Sequence, residues 1–205
     1  MPFEINCCIG DETRELLAAL TLRVRAFSSF QIARTWPKAI ASLKRLESHG
    51  LLFSFVAVAH SELPLVEPVI RWTEGAELPE FGRASYQLRS RWNGGGVPMK
   101  CFIASRAAGR MFGGHGGRYP RESEETHDLH LAAVYLRFRS TWPELAASWV
   151  HEEEIKRERK QRRGKLPDAF VGKNRVIEFG GAYKKEKLMA FHKFCKERHF
   201  DYEVW

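Results

Sequence analysis

The sequence predicts an α+β fold built in two parts, which are joined by a stretch rich in glycine and proline. In residues 1–75 the spacing of apolar side chains predicts three helices followed by two strands. In residues 126–205 it predicts a helix, a strand, a hairpin of two strands, a further helix and a terminal strand. Residues 76–125 are interrupted repeatedly by Gly and Pro, so we interpret them as a connecting region with local structure.

Length and composition are those of a globular protein: 205 residues, of which 44% are hydrophobic and 12% aromatic, suffice for packed cores. There is no apolar run of 18 or more residues, and the first residues lack the basic start and apolar stretch of a signal peptide. We therefore expect a cytoplasmic protein without membrane contact. The cysteines form no CxxC pair, which favours a reducing compartment over a zinc site or a disulfide framework; they are Cys7, Cys8, Cys101 and Cys195.

The net charge of +8 and the pI near 9.5 favour an acidic partner such as nucleic acid. Residues 1–75 carry eight basic and eight acidic side chains, so the whole surplus lies in residues 76–205. We therefore expect phosphate contacts in the later part of the chain as well as in the first. Solubility alone is the alternative explanation for a mild basic excess.

The first part is predicted to have the element order of a winged helix-turn-helix. Its helices are predicted from Asp11 to Val24, from Phe30 to Arg34 and from Pro37 to Ser48. Strands at residues 51–58 and 69–72 are then expected to pair as the wing hairpin. The run from Ala39 to Leu52 resembles the recognition helix and the start of the wing in that family, which implies contact with duplex DNA.

In the third helix, Ile40, Leu43 and Leu46 are predicted to share the buried face. The DNA-contacting residues would be on the opposite side: Lys38, Ser42, Lys44 and Arg45. The alternative is that these are ordinary solvated positions and that the winged fold serves for dimerisation.

A carboxylate hairpin is predicted in the second part. The apolar runs 169–171 and 176–177 are joined by the turn-forming triplet 172–174, with Asp168 before the first strand and Glu178 closing the second. Paired antiparallel strands bring their outer ends together, so the two carboxylates could share a divalent cation such as Mg²⁺.

This hairpin is similar to the core of the PD-(D/E)xK nucleases. Pro167, Asp168 and Glu178 match its motif, and the resemblance implies that the two carboxylates are the catalytic and metal-binding residues. Gly180 stands where the motif has lysine, so the group that orients the attacking water is missing there. Substitutes from the following helix would be Lys184 and Lys185. Asp128 would be the acidic residue of the opening helix, or else a first-turn residue that complements the helix dipole.

A strongly basic run precedes the hairpin and would hold a nucleic-acid backbone near it; a solvated segment is the alternative. The residues that we assign to DNA contact in this run are Lys156, Arg157, Arg159, Lys160, Arg162 and Arg163. Before it, a first core strand is predicted at residues 152–154.

Two other patterns have a weaker functional interpretation. His192, Cys195 and His199 share a predicted helix face, which favours packing over metal binding because a fourth ligand is lacking nearby. The loop of residues 113–117 has the glycine content of a phosphate-binding loop but not its GKS or GKT ending, so a flexible surface loop is predicted.

The winged helix joined to a nuclease-like part, with the motifs LPDAF, VIEFGGAY and FHKFCKERHFDYEVW, resembles the replication-relaxation family of bacterial mobile elements. The resemblance implies a double-stranded DNA-binding protein, with replication or relaxation proteins or a second copy of the chain as further partners. With Gly180 in the lysine position, the nuclease-like part is expected to be degenerate and to need no cofactor. The alternatives are an active Mg²⁺-dependent endonuclease, and a transcriptional regulator or assembly adaptor.

Overall fold

A computed structural model describes residues 9–92, 94–159 and 166–205, with the side chains of residues 157–159 outside the description. Its helices are α1 (Asp11–Leu22), α2 (Ser29–Thr35), α3 (Leu43–Ser48), α4 (Phe81–Ser90), α5 (Arg106–Phe112), α6 (Glu122–Thr141), α7 (Pro143–Ala147), α8 (Glu152–Arg159) and α9 (Lys185–Lys196), with a 3₁₀ helix at Pro37–Ser42. Its strands are β1 (Ala26–Ser28), β2 (Leu52–Ala59), β3 (Ile70–Trp72), β4 (Val97–Ala104), β5 (Val150–His151), β6 (Ala169–Val171), β7 (Arg175–Glu178) and β8 (Asp201–Val204).

The chain forms two compact units, and each unit is discontinuous in sequence. The first comprises the described residues up to Ala59 together with Val97–Ala132, and the second comprises His60–Gly96 together with Ala133–Trp205. These boundaries differ from the continuous ranges 1–75, 76–125 and 126–205 that the sequence suggested. The reason is that β2 pairs with β4, which follows residues 60–96 in sequence. The segment between these two strands packs into the second unit.

The first unit contains a three-stranded antiparallel sheet in the order β1-β4-β2. Its register runs from Leu52 opposite Ala104 to Ala59 opposite Val97. The predicted hairpin between residues 51–58 and 69–72 is therefore wrong, because β3 pairs with β8 in the other sheet. The pairing of β2 with β4 is long-range, and no tight turn fixes it locally.

The first three helical segments begin within one residue of the predicted positions, but the third is not one continuous α-helix. α2 begins with a capping box, in which the Ser28 side chain accepts from the N–H of Gln31 and the Gln31 side chain accepts from the N–H of Ser28. Pro37 then opens a 3₁₀ helix that becomes α3 at Leu43. The tighter 3₁₀ turn buries Ala39 and leaves Ile40 39% exposed, in contrast to the predicted face.

The second unit contains a five-stranded mixed sheet in the order β3-β8-β7-β6-β5. Strand β6 is antiparallel to both of its neighbours, β5 and β7, and β8 runs parallel to β7 after the crossover through α9. The predicted hairpin, last helix and terminal strand are confirmed. The predicted strand at residues 152–154 is wrong: the strand is Val150–His151, and three glutamates form the first turn of α8, where they complement the helix dipole.

The core of the second unit is built from both of its sequence segments. Its buried residues from the earlier segment are Ile70, Trp72, Phe81, Ala84 and Leu88, and those from the later segment are Val176, Leu188, Phe191, Cys195, Tyr202 and Val204. At roughly 1.5–3 kcal/mol for each fully buried large apolar side chain, residues 60–96 supply a substantial share of the driving force for folding this unit.

The glycine loop of residues 113–117 belongs to the first unit and is tightly packed. The His115 N–H donates to the Thr21 carbonyl at 2.7 Å, and the Gly117 N–H donates to the Ala104 carbonyl at 2.7 Å. A Cβ on Gly114 would lie 2.2 Å from the Thr21 oxygen, and one on Gly116 would lie 2.1 Å from the Ser105 oxygen. The predicted flexible surface loop is therefore wrong, and these glycines serve close backbone approach. Among the described residues, no helix has the length and apolar character needed to cross a membrane.

Candidate nucleic-acid interface and carboxylate hairpin

The cationic segment, which we define as Pro37–Ser48, is fixed at its start by two carboxylates of α1. The indole N–H of buried Trp36 donates to Glu15 at 2.9 Å, and the backbone N–H of Lys38 donates to Glu12 at 2.8 Å. Trp36 also packs edge-on against Phe27 at 5.2 Å between ring centroids. These contacts set the orientation of the segment, and they give two of the acidic residues of the first unit an internal role.

The cations of this segment point into solvent. Lys38, Lys44 and Arg45 are exposed, whereas Ser42 is half-buried at the junction between the 3₁₀ helix and α3. Within the described residues, none of the three cationic side chains makes a hydrogen bond or an ion pair. The buried side of the segment is formed by Ala39, Leu43 and Leu46. The arrangement presents positive charge on a helix whose other face is packed, as a phosphate contact requires.

Lys100 is a further cation of this unit that the sequence reasoning missed. It lies on β4 opposite Val56, is exposed, and has its ammonium 5.1 Å from the centroid of the Phe102 ring. The sequence offered no signal for it, since its place in a ribbon depends on the pairing of β2 with β4.

In the second unit the hairpin brings the two predicted carboxylates together. β6 pairs with β7 with Ala169 opposite Ile177, so the next residues outward, Asp168 and Glu178, face each other across the hairpin end. Glu178 is only 2% exposed. The Asp168 carboxylate accepts the Phe179 N–H at 2.7 Å, which holds it beside the end of β7.

Tyr183 completes this cluster and was not predicted. Its hydroxyl donates to Glu178 Oε1 at 2.6 Å. Burial, and then the charges of Glu178 and Asp168, raise the pKa of Tyr183 far above its ordinary value, so the phenol remains a donor at neutral pH. The only signal in the sequence was a hydroxyl-bearing residue shortly after the acidic position.

Gly180, in the lysine position of the nuclease motif, faces the core. A Cβ there would lie 2.7 Å from Leu88 Cδ2 and 2.9 Å from Val204 Cγ1. Helix α4 and strand β8 therefore occupy the space that a lysine side chain would need. A lysine at position 180 would therefore require the side chains of Leu88 and Val204 to move.

The predicted lysine substitutes do not reach the cluster. The side chains of Lys184 and Lys185 are exposed and make no hydrogen bond, ion pair or ring contact within the described residues. Instead, Lys187 places its ammonium 3.3 Å from the centroid of the Tyr183 ring, a cation–π contact.

Asp128 is placed in the first unit, where its carboxylate is bound by Arg25 at 2.5 Å. It is 6% exposed, and Arg25 also binds Glu124 at 3.1 Å. Because α6 begins at Glu122, Asp128 is beyond the first turn, so the helix-dipole interpretation is wrong. This residue is part of a structural ion-pair network.

The basic run before the hairpin is described only in part. Lys156 is exposed on α8 and forms an ion pair with Glu152 one turn earlier. The side chains of Arg157 and Arg159 lie outside the described residues, as do Lys160, Arg162 and Arg163 altogether.

The predicted packing of His192 and Cys195 is confirmed, since both are buried. His192 bonds to the Tyr202 hydroxyl at 3.1 Å, whereas His199 follows α9 and bonds to Glu74. Within residues 9–92, 94–159 and 166–205, no group of three or more His, Cys, Asp or Glu side chains is arranged to hold a metal ion.

Two carboxylates are enough protein ligands for Mg²⁺ when water and phosphate complete its shell. In this cluster, however, a magnesium ion would compete with the Phe179 N–H and the Tyr183 hydroxyl for carboxylate oxygens. The cluster therefore has the right donor type but is already satisfied in part by the protein's own donors. Comparisons of the chain with protein-family models, with curated proteins and with solved structures gave no match.

Proposed function

We propose that the protein binds double-stranded DNA through the cationic segment of its first unit and that its second unit is a nuclease-like module that does not cut. The observation that carries this proposal is the set of exposed cations on Pro37–Ser48, with Lys38, Lys44 and Arg45 making no ion pair within the described residues. Cations kept exposed on a fixed helical surface are suited to phosphate contact.

The topology of the first unit supports a winged helix-turn-helix. A helix, a short strand, two further helical elements and a two-stranded ribbon follow one another, and β4 lies between β1 and β2. In this interpretation, residues 60–96 are inserted at the tip of the wing, between β2 and β4. Lys100 then belongs to the wing and would add a backbone contact.

The topology of the second unit supports a PD-(D/E)xK-like module. Three antiparallel strands, a helix and a strand parallel to the third follow in order, with Asp168 and Glu178 at the end of the hairpin. The absence of cleavage is inferred from Gly180, whose surroundings leave no room for the lysine.

The origin in a bacterial mobile element of the replication-relaxation kind, the cytoplasmic location and the replication or relaxation partners rest on the sequence resemblance. They are part of the same proposal. A homodimer would be compatible with either unit.

An active endonuclease is the second candidate, favoured by one observation. Asp168, Glu178 and Tyr183 are adjacent, and the Lys187 ammonium lies against the Tyr183 ring. Lys187 could therefore supply, near the carboxylates, the positive charge that the nuclease motif has at position 180.

The proposed function is tested by fluorescence anisotropy with a labelled DNA duplex at several salt concentrations. We expect the double variant Lys38→Ala, Arg45→Ala to bind more weakly, with a log–log salt slope shallower by about 1.8, because each lost phosphate contact removes about 0.9. Arg110→Ala, an exposed cation of α5, is the control for general charge loss. Equal affinity and an unchanged slope in the double variant would remove the cationic segment from the interface.

A further inference from the structure

We propose that helices α4 and α9 form a second DNA-backbone contact surface, on the second unit. The α4–α9 surface is defined by its exposed residues Tyr86, Arg89, Lys185, Met189 and Lys196. The inference rests on the proposed function, and it assigns backbone contact in the second unit to particular residues.

The two helices pack against each other in opposite directions. Phe81, at the start of α4, contacts His192 in the middle of α9, with ring centroids 5.4 Å apart. One turn later, the Ser85 hydroxyl donates at 2.9 Å to the carbonyl of Tyr183, just before α9 begins. The flank of α4 that contains Tyr86 and Arg89 therefore adjoins the first half of α9.

His192 contacts Phe81 of α4 and so marks the side of α9 that is next to α4. Lys185, Met189 and Lys196 are seven, three and four positions from His192, so they lie on the same side of the helix. Burial, and then the positive charge of Lys196, lower the pKa of His192, which agrees with an ammonium placed near that ring. The exposed residues of the two helices thus form one continuous surface.

The charge of this surface is positive. Residues 81–92 contain three arginines and no acidic residue. Residues 184–198 contain six cations and two glutamates, of which Glu197 is paired with Lys193 at 3.8 Å and Arg198 at 3.9 Å. Within the described residues, Arg89, Lys185 and Lys196 make no ion pair, so their charge is available to a ligand.

Two large side chains lie among these cations: Tyr86 is 74% exposed and Met189 is 47% exposed. A tyrosine hydroxyl, like the cations of Arg and Lys, can bond to a phosphate oxygen of duplex DNA. The other flank of α4 is different, since Arg83 there shares a groove with Glu67, Glu77 and Glu80, which reduce its net charge. The flank of α4 next to α9 contains no acidic residue of α4 itself and is therefore the one suited to phosphate.

The test is anisotropy of the full chain with a DNA duplex across a salt series, comparing two double variants. Arg89→Ala with Lys185→Ala should bind roughly tenfold more weakly near physiological salt and reduce the salt slope by about 1.8, for two lost phosphate contacts. The control, Arg83→Ala with Lys173→Ala, removes the same charge from the same unit, at the other flank of α4 and at the hairpin turn. It should bind like the wild type.

Arg89→Gln with Lys185→Gln keeps the aliphatic stems and must reproduce the loss if charge is its cause. A double variant that is folded by circular dichroism and matches the control in affinity and slope would overturn the inference. Failure of the wild type to bind duplex DNA would instead remove the proposed function itself.

Discussion

The cationic segment and the carboxylate hairpin differ in how their polar groups are satisfied. Lys38, Lys44 and Arg45 extend into solvent, and the contacts that fix their segment use backbone groups and Trp36. Asp168 and Glu178, by contrast, are held by the Phe179 N–H and the Tyr183 hydroxyl. The cations of the first region make no ion pair within the described residues, whereas the carboxylates of the second region accept hydrogen bonds from neighbouring groups of the protein.

Asp168 and Glu178 resemble a metal site but are already hydrogen-bonded within the protein, whereas the cations of the segment make no such bond within the described residues. Asp168 Oδ2 and Glu178 Oε1 already accept hydrogen bonds from Phe179 and Tyr183, and breaking such a bond leaves a buried donor unsatisfied, which costs about 1–3 kcal/mol. An exposed lysine loses little when it binds a phosphate. We therefore expect mutations in the hairpin to lower the free energy of unfolding, and mutations in the cationic segment to weaken DNA binding.

The largest expected effect concerns the dependence of the hairpin on residues 60–96. A fragment of residues 126–205 should not fold, because five buried core residues, among them Trp72 and Leu88, come from the missing segment. Circular dichroism and urea melts would measure this, with the same fragment joined to residues 60–96 by a flexible linker as the control. Cooperative unfolding of the fragment alone would show that the hairpin is independent of α4.

The next effect concerns Gly180→Lys, which restores the nuclease motif in sequence. The new side chain would collide with Leu88 and Val204, so we expect a loss of about 1–3 kcal/mol or more in the free energy of unfolding, and no gain of cleavage. Gly82→Lys is the matched control, since no atom lies within 4 Å of a Cβ placed there. A stable Gly180→Lys variant that nicks DNA would show that the site is poised for catalysis.

Tyr183→Phe should cost about 1–3 kcal/mol, since a buried carboxylate oxygen loses its donor. The pKa of Tyr183 is raised, so above its ordinary value of about 10 the phenol ionises in the unfolded chain but not in the folded one. Ionisation of this group therefore lowers the free energy of unfolding of the wild type as pH rises above 10. The difference in that free energy between the wild type and Tyr183→Phe becomes smaller. Urea melts at pH 8 and pH 10.5 would measure it, with exposed Tyr86→Phe as a control that changes little.

The smallest effect is expected for Asp168→Ala on DNA binding. The affinity for duplex DNA at neutral pH should stay within about twofold of the wild type, because this carboxylate is bonded to Phe179 and faces no phosphate in our proposal. A plasmid-nicking assay with Mg²⁺ or Mn²⁺ should show no cleavage by the wild type. Metal-dependent nicking that disappears in both Asp168→Ala and Glu178→Ala would make the endonuclease the leading function.

Local patterns predicted the hairpin, α9 and β8 correctly because each is defined by neighbouring residues: a turn at 172–174, helical spacing, and alternation at the end of the chain. The facing of Asp168 and Glu178 followed from the same turn. The long-range pairings were not predictable in this way. β2 pairs with β4 and not with the nearer strand β3, and only the assembled sheets show this.

The sequence by itself determined the α+β class, the carboxylate pair and the positions of the exposed cations, since these depend on turns, periodicity and residue type. Only the tertiary structure decided that residues 60–96 join the second unit, that Leu88 fills the space beside Gly180, and that Tyr183 binds Glu178. These contacts join residues far apart in the chain or depend on the path of the Gly180–Tyr183 loop. Packing selects them because buried apolar surface and satisfied polar groups are properties of the whole fold.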